Sequence, residues 1–351
     1  MDNILNYTME NFALWLEDKG IRPFRAEQIF KWLYIRQADS FEDMTNLAKQ
    51  RRKDLASYFY IPRLEIEEKM LSADGTEKFL FKLEDGLHIE SVLIPVKDHY
   101  TLCVSSQVGC AQGCRFCLTA KSGLKRNLKM WEIVSQVRDI RLYLMKKNID
   151  PLKLSNIVFM GMGEPFANYQ NVIDSITIIA DSDSGLKISP RRITVSTSGL
   201  IPEMDRFGLD TTVNLALSLN ATTNEMRSKI MPVNKKYPLN DLLQACRRVI
   251  MKPRNKITFE YILMKGLNDT REDALRLVSL LSPIRAKINL IPFNEYENSE
   301  FKRPDDKTIN DFLKILLDRK FTAIIRKSKG SDILAACGQL CFKTTKKEKF
   351  L

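Results

Sequence analysis

The sequence predicts an α/β protein, a partial (β/α)6 barrel preceded by a small N-terminal helical domain. Two observations carry that reading. From residue 100 onward, short strand-like runs recur ("TLCVSS", "SNIVFM", "RRITVS", "NLALSL", "ITFEYIL", "AKINLIPF" and "TAIIRK"), most of them separated by helical patterns. That rhythm belongs to βα units around a parallel sheet. About six such units are too few to close an eight-stranded barrel, so the sheet is expected to stay open. Residues 1–75, by contrast, read as short helices.

In the N-terminal part, Ile29, Trp32 and Leu33 form an i, i+3, i+4 apolar stripe, and Ser40 with Asp43 has the spacing of a capped helix start. The run "KQRRKDL" reads equally as a solvated helix face or as an RNA contact. Residues 76–99 are expected to form a β-hairpin linker, alternating about a turn at Asp85-Gly86. Residues 100–351 then supply the barrel and a C-terminal extension. Its helices show apolar faces at Ile133, Val137, Ile140 and Leu144, at Val172, Ile173, Ile176 and Ile179, and at Leu239, Leu242, Leu243, Cys246, Val249 and Ile250.

Unusual polar segments sit where a barrel of this kind gathers its active site, at the C-terminal ends of strands. Cys110 to Cys117 follow the first strand, Gly161-Met162-Gly163-Glu164 the second and Ser196-Thr197-Ser198-Gly199 the third. Ser218-Leu219-Asn220 ends the fourth and Asn294 the sixth.

The chain has 55 Lys and Arg against 43 Asp and Glu, a net charge of +12. Such an excess favours a polyanionic partner, nucleic acid first, while charge alone leaves a surface that is merely basic as an equal alternative. The clusters Arg51-Arg52-Lys53, Lys121 to Lys129, Arg191-Arg192, Lys235-Lys236, Arg247-Arg248, Lys252 to Lys256 and Arg326 to Lys329 place much of it, several beside the polar segments. The opening "MDNILNYTMENFALWL" lacks a basic region before its apolar residues, so no secretory signal is expected. No uncharged apolar run nears the ~18–20 residues that span a bilayer. The expectation is a cytoplasmic protein without a membrane partner, where clustered cysteines bind metals or catalyse.

Cys110, Cys114 and Cys117 lie within eight positions with no fourth cysteine nearby. Structural zinc normally takes four protein ligands, and only His88 and His99 could add a nitrogen, neither at motif spacing. A [4Fe–4S] cluster also usually takes four cysteines; with three, one iron stays open for chemistry. A zinc site and a chance grouping are the alternatives.

CxxxCxxC with Phe116 before its last cysteine resembles the signature of radical S-adenosylmethionine (SAM) enzymes. "CVSSQVGC", "FMGMGEP", "STSG", "MPVNKKYPL", "KINLIPFN" and "AACGQL" together are similar to the RlmN/Cfr family of RNA adenine methyltransferases, over nearly the whole chain. The resemblance implies a partial radical SAM barrel with one [4Fe–4S] cluster on Cys110, Cys114 and Cys117. It implies two SAM molecules per turnover, bound around Gly163, Glu164, Ser196, Ser218, Leu219, Asn220 and Asn294. Without it, "GMGEP" reads as a tight turn after a strand. One departure stands out: the family usually has Ser-Leu-His where this chain has Ser218-Leu219-Asn220. Asparagine still hydrogen-bonds a ribose or carboxylate, but the role of Asn220 is open.

The resemblance also sorts the other four cysteines. Cys246 lies on an apolar helical stripe and Cys341 has no motif context, so both read as structural. Cys103 and Cys337, otherwise small buried hydrophobes, become catalytic. Cys337 takes a methyl group from one SAM; a 5′-deoxyadenosyl radical from a second SAM removes hydrogen from that methyl; the carbon radical adds to the adenine. Cys103 then attacks the Cys337 sulfur, giving a transient disulfide and releasing methylated RNA. Glu90, otherwise an exposed strand carboxylate, matches the family's proton acceptor. The substrates implied are adenosine 2503 of 23S rRNA and adenosine 37 of certain tRNAs, methylated at C2, in bases splayed out of their stacks. The expected protein is a monomer served by a low-potential electron donor. The rivals are the C8-methylating, antibiotic-resistance branch of the family and a non-catalytic, metal-dependent RNA-binding protein.

Overall fold

The structure is a computed structural model that describes residues 1–341 except Arg254. Arg254 of the Lys252 to Lys256 cluster, and residues 342–351 of the C-terminal extension, lie outside the described residues. The centre is one ten-stranded sheet: β1 (Glu65–Leu71), β2 (Glu77–Lys82), β3 (His88–Val96), β4 (His99–Cys103), β5 (Leu154–Phe159), β6 (Ile193–Thr197), β7 (Asn214–Ser218), β8 (Ile257–Leu263), β9 (Ala286–Pro292) and β10 (Thr322–Ile325). Spatial order follows sequence order throughout. Strands β4 to β10 run parallel, and β1 to β4 form an antiparallel meander. A parallel sheet whose neighbours are always consecutive needs crossovers of a single hand, which puts the helices on one face and leaves the other face as a concave interior.

The expected partial barrel is therefore present, with β1 and β10 as its free edges. It has seven parallel strands, and the hairpin expected as a linker is instead the continuation of the sheet. Its turn is where the sequence put it: Gly86 adopts φ +79°, and the Gly86 amide donates to the Leu83 carbonyl at 2.9 Å. Strand β1 falls inside the span read as helical. Its sequence, "EIEEKML", is exposed along its whole length and carries no apolar alternation to read. Charged residues on such an edge discourage pairing with another chain.

The N-terminal part contains helices Met9–Asp18, Arg25–Phe30 and Lys49–Tyr58. Ile29, Trp32 and Leu33 are all buried, and Ser40 with Asp43 closes a capping box on a short 3-10 turn. Phe59 gathers an aromatic cluster, with ring centroids 4.6 Å from Trp15 and 5.6 Å from Tyr7.

Helix Met130–Lys146 fixes this part to the barrel. Arg138 is fully buried and donates to the carbonyls of Leu33, Ala38 and Pro62 at 2.9–3.2 Å. Asp139 pairs with Arg63 at 2.7 Å and accepts from the Leu64 amide at 2.8 Å. Asp139→Ala leaves the Leu64 amide without its carboxylate acceptor, which costs about 1–3 kcal/mol for a buried group. Urea unfolding should show a correspondingly lower midpoint. Asp18→Ala, which removes an exposed pair with Lys19, should stay within about 0.5 kcal/mol of the parent.

Candidate active site

The loop bearing the three cysteines is set by a short ladder. Residues Gln107–Gly109 pair with Leu124–Asn127, and a Cβ on Gly109 would stand 1.8 Å from the Gly123 carbonyl oxygen. Only glycine lets the two segments close there, at φ +78°. Cys110, Cys114 and Cys117 then line one cavity at the C-terminal ends of the parallel strands, which encloses about 890 Å³, part of it open to solvent. Burial pushes the Cys110 thiol up to about 12, and burial followed by the neighbouring thiols also raises Cys114.

Among the described residues, no three His, Cys, Asp or Glu side chains are gathered closely enough for a single metal ion. A cubane [4Fe–4S] cluster makes a different demand, because each thiolate binds a separate iron. The three thiols of this loop lie on the wall of one cavity, which Cys337 of the C-terminal segment also lines, and three loop thiolates at that wall suit such a group. The rest of the wall suits a polar ligand beside it. Ser198 Oγ is buried there without a hydrogen-bond partner. Gly161 and Gly163 bring the backbone so close to the Val104–Gln107 loop that a Cβ would meet Val104 O at 2.7 Å or Gln107 Cβ at 2.6 Å.

Glu164 is buried on this wall. Its two oxygens accept from the Ser198 amide at 2.8 Å and the Phe166 amide at 3.1 Å, while burial raises its pKa. Ser196 and Ser218 line the same cavity. So does Asn220, in a left-handed turn at φ +57° that asparagine tolerates well. Its Oδ1 accepts from the Ile262 amide at 2.9 Å and its Nδ2 donates to Met231 Sδ at 3.3 Å, so the side chain is already engaged in joining strand ends. Leu219 does not line this cavity. It is fully buried in the core, since side chains alternate past Ser218, and its amide donates to the Glu260 carbonyl at 3.0 Å.

A second cavity of about 820 Å³ adjoins the first and is lined by Cys103, Thr101, Ile94, Arg326, Lys327 and Lys329 among others. Of the seven cysteines, Cys337 alone lines both. Asn294 belongs to the second cavity, and its Nδ2 donates to the Cys337 carbonyl at 3.1 Å. Glu90 lines neither. It is buried on β3, two residues from Val92, whose partner across the ladder is Cys103, so Glu90 and Cys103 share a sheet face. Lys78 Nζ holds Glu90 Oε1 at 3.0 Å, and burial raises the Glu90 pKa against the pull of Lys78 and of the Cys341 backbone amide.

Several residues at this site were not singled out from the sequence. Arg227 is fully buried and ties strand ends together through the carbonyls of Ser198, Leu219 and Ser218 at 2.6–3.3 Å. Glu260 is a carboxylate inside the apolar strand "ITFEYIL", a signal that was available, and it meets Arg326 at 3.2 Å. Gly163→Ala tests the wall itself. It combines φ +101° with a clash at 2.6 Å, so the thermal midpoint should fall clearly. Gly266→Ala, at φ +66° with nothing within 4 Å, should cost only backbone strain, about 1 kcal/mol.

Comparison with known proteins finds family matches in two separate regions of the chain. Residues 2–61 match the family described as the ribosomal RNA large subunit methyltransferase N-terminal domain, and residues 104–278 match the radical SAM superfamily. A relative from Desulfosudis oleivorans, named dual-specificity RNA methyltransferase RlmN, is 58% identical over 337 residues, covering 96% of this chain and 90% of that protein. A relative of the same name from Geobacter sulfurreducens is 54% identical, covering 97% and 92%. The crystal structure of a radical SAM methyltransferase from Sphaerobacter thermophilus matches with a TM-score of 0.89 at 41% identity, covering 97% of this chain and 99% of that one. With this identity along nearly its full length, and three cysteines and a glycine-acid turn on one cavity wall, the chain belongs to the RlmN family of radical SAM RNA methyltransferases.

Proposed function

We propose that this protein methylates C2 of an adenosine in 23S rRNA and in tRNA, with Cys337 carrying the methyl group between two chambers. The observation that supports it most is the place of Cys337 on the walls of both cavities. In this reading the three-cysteine chamber holds the [4Fe–4S] cluster and SAM, and the basic chamber receives the adenine. When bound, the cluster and SAM supply the electron and the 5′-deoxyadenosyl radical that activate a methyl group held on sulfur.

The remaining work falls to the chain's own residues. Cys337 sulfur, as thiolate, attacks the methyl carbon of one SAM; the new S–C bond forms as the sulfonium S–C bond breaks, and its electron pair stays with S-adenosylhomocysteine. Glu164 and the Gly163 backbone present an acid and carbonyl oxygens to the amino group of SAM, and Ser196, Ser198 and Ser218 add hydroxyls. Asn294 fixes the Cys337 carbonyl, so the loop can turn its sulfur towards either chamber without leaving its place. Once the carbon carried on Cys337 sulfur has bonded to adenine C2, the adduct would have to give up one electron, which the cluster could take back, and one proton, which Glu90, on the same sheet face as Cys103, would accept. Cys103 then attacks Cys337 sulfur: an S–S bond forms, the S–C bond to the RNA-borne carbon breaks, and that carbon is protonated. The basic residues Lys327 and Lys329 face RNA phosphates, and the N-terminal helical domain adds a second RNA-holding surface.

Opposite roles for the two cysteines give opposite failures. Cys103→Ala keeps the methyl carrier but loses the resolving thiol, so protein should co-migrate with RNA under denaturing conditions and collapse to its own size after ribonuclease. Cys337→Ala should give no such adduct. Wild-type turnover by Cys103→Ala would return Cys103 to a structural role.

A further inference from the structure

Arg326 was grouped by sequence with Lys327 and Lys329 as a surface contact for RNA, but the fold places it differently. Its amide donates to the Leu290 carbonyl at 2.8 Å, which prolongs the β9–β10 ladder by one step and fixes the direction of its side chain. Ser218, Glu260 and Asn289 are cross-strand partners in a row over β7, β8 and β9, a polar band on the concave face. The Arg326 guanidinium reaches back to that band: Nη1 stands 3.2 Å from Glu260 Oε1 and 3.5 Å from Met160 Sδ. Met160, like Cys337, lines both cavities, and Arg326 shares the second one with Cys103 and Cys337.

We propose that Arg326, anchored by Glu260, is a positioning residue that holds a fixed positive charge beside Cys337 and Cys103 and stabilises whichever of them is the attacking thiolate. This rests on the two-cysteine reading above and adds to it the group that makes those thiols nucleophilic.

The chemistry requires such a group. Only a thiolate attacks a sulfonium methyl carbon or another sulfur efficiently, and a thiol in an apolar wall keeps its proton. Burial pushes Cys103 up to about 12, with Cys337 acting the same way and Arg326 against them. Burial also raises Cys337, opposed chiefly by Arg326, while Glu260 adds to the rise. Arg326 itself is raised, Cys337 being the largest cause, with Glu260 and Cys103 contributing.

The other charged groups near the pair are otherwise engaged or turned outward. Lys329 faces Asp74 at 3.8 Å, Lys327 is exposed, and Lys78 pairs with Glu90 on the Cys103 side. Glu164, in the first chamber, is bound to backbone amides. Glu260 therefore does two things. It keeps the guanidinium from swinging out towards RNA phosphate, and its own charge partly offsets that of Arg326 at the two thiols.

The test reads thiol reactivity and needs no turnover. Cluster-loaded protein, confirmed by mass to carry an unmodified Cys337, is treated with iodoacetamide across a pH series under a phosphine reductant. Alkylation is then quantified on the peptide that contains Cys337. In Arg326→Gln the pH of half-maximal rate should rise by about one unit or more, so that Cys337 reacts roughly tenfold more slowly below the midpoint. Arg326→Lys, which keeps the charge, should stay within about half a unit of the parent. A parent-like midpoint in folded Arg326→Gln overturns the proposal. Should that variant not fold, Arg326→Lys carries the test alone, and a rise of a full unit there overturns the role of the charge. Failure of the methyl-carrier reading looks different: Cys337 would then never gain a methyl mass on incubation with SAM, whatever its pH profile.

Discussion

The site depends on how the C-terminal segment is tied across the mouth of the barrel. The Gly338 carbonyl accepts from the Leu118 amide at 2.7 Å, next to Cys117, and the Leu340 carbonyl accepts from Thr119 Oγ1 at 2.5 Å. On the other side Asn294 holds the Cys337 carbonyl, and Asp332 accepts from Ser72 Oγ at 2.6 Å on the antiparallel extension. These bonds join segments more than 200 residues apart in sequence, save that of Asn294. They set one sulfur on the boundary between a chamber lined with thiols and a chamber lined with cations. Glycine at 338 matters here, at φ +82° with a Cβ position 3.2 Å from the Phe116 carbonyl.

Electrostatics then separates the two chambers. The first is lined by thiols and a carboxylate committed to amide donors. Near it lies Arg227, whose pKa burial pulls down to about 10, with Cys114 acting in the opposite sense. A thiolate-ligated cluster is an anion, and a buried guanidinium nearby lowers the cost of placing it in a poorly hydrated space. The second chamber carries Arg326, Lys327 and Lys329, the part of the net charge of +12 that adjoins Cys337. Glu260, on the first wall and bonded to Arg326 on the second, connects them.

Much of this was legible in the sequence because it rests on local spacing. The strand-helix rhythm gave the open barrel, and the polar segments after β4 to β7 fall on its C-terminal rim. What was not legible depended on tertiary neighbours. Strand β1 has no apolar alternation, so an exposed edge looks like a charged helix. Leu219 sits within a polar motif, yet strand alternation turns it into the core. Asn294 looked like a ligand for the first chamber and instead holds the Cys337 loop. Arg326 carries the same charge as Lys327 and Lys329, and only the register of β10 against β9 points it inward. Arg138 and Arg227 drew no reading from the sequence, because nothing local reveals the carbonyls that gather around each.

The central claim is that the methyl carbon reaches RNA through the Cys337 sulfur after losing one of its hydrogens. SAM whose methyl group carries only deuterium tests it most directly. The purified protein, with its cluster intact and a reductant present, is incubated with RNA, and the nucleosides are separated and weighed. Loss of one deuterium to the radical and final protonation from water predict 2-methyladenosine retaining two deuteriums in its new methyl group. A product with all three would mean direct transfer from SAM, and 8-methyladenosine would mean the wrong carbon; either result would contradict the account.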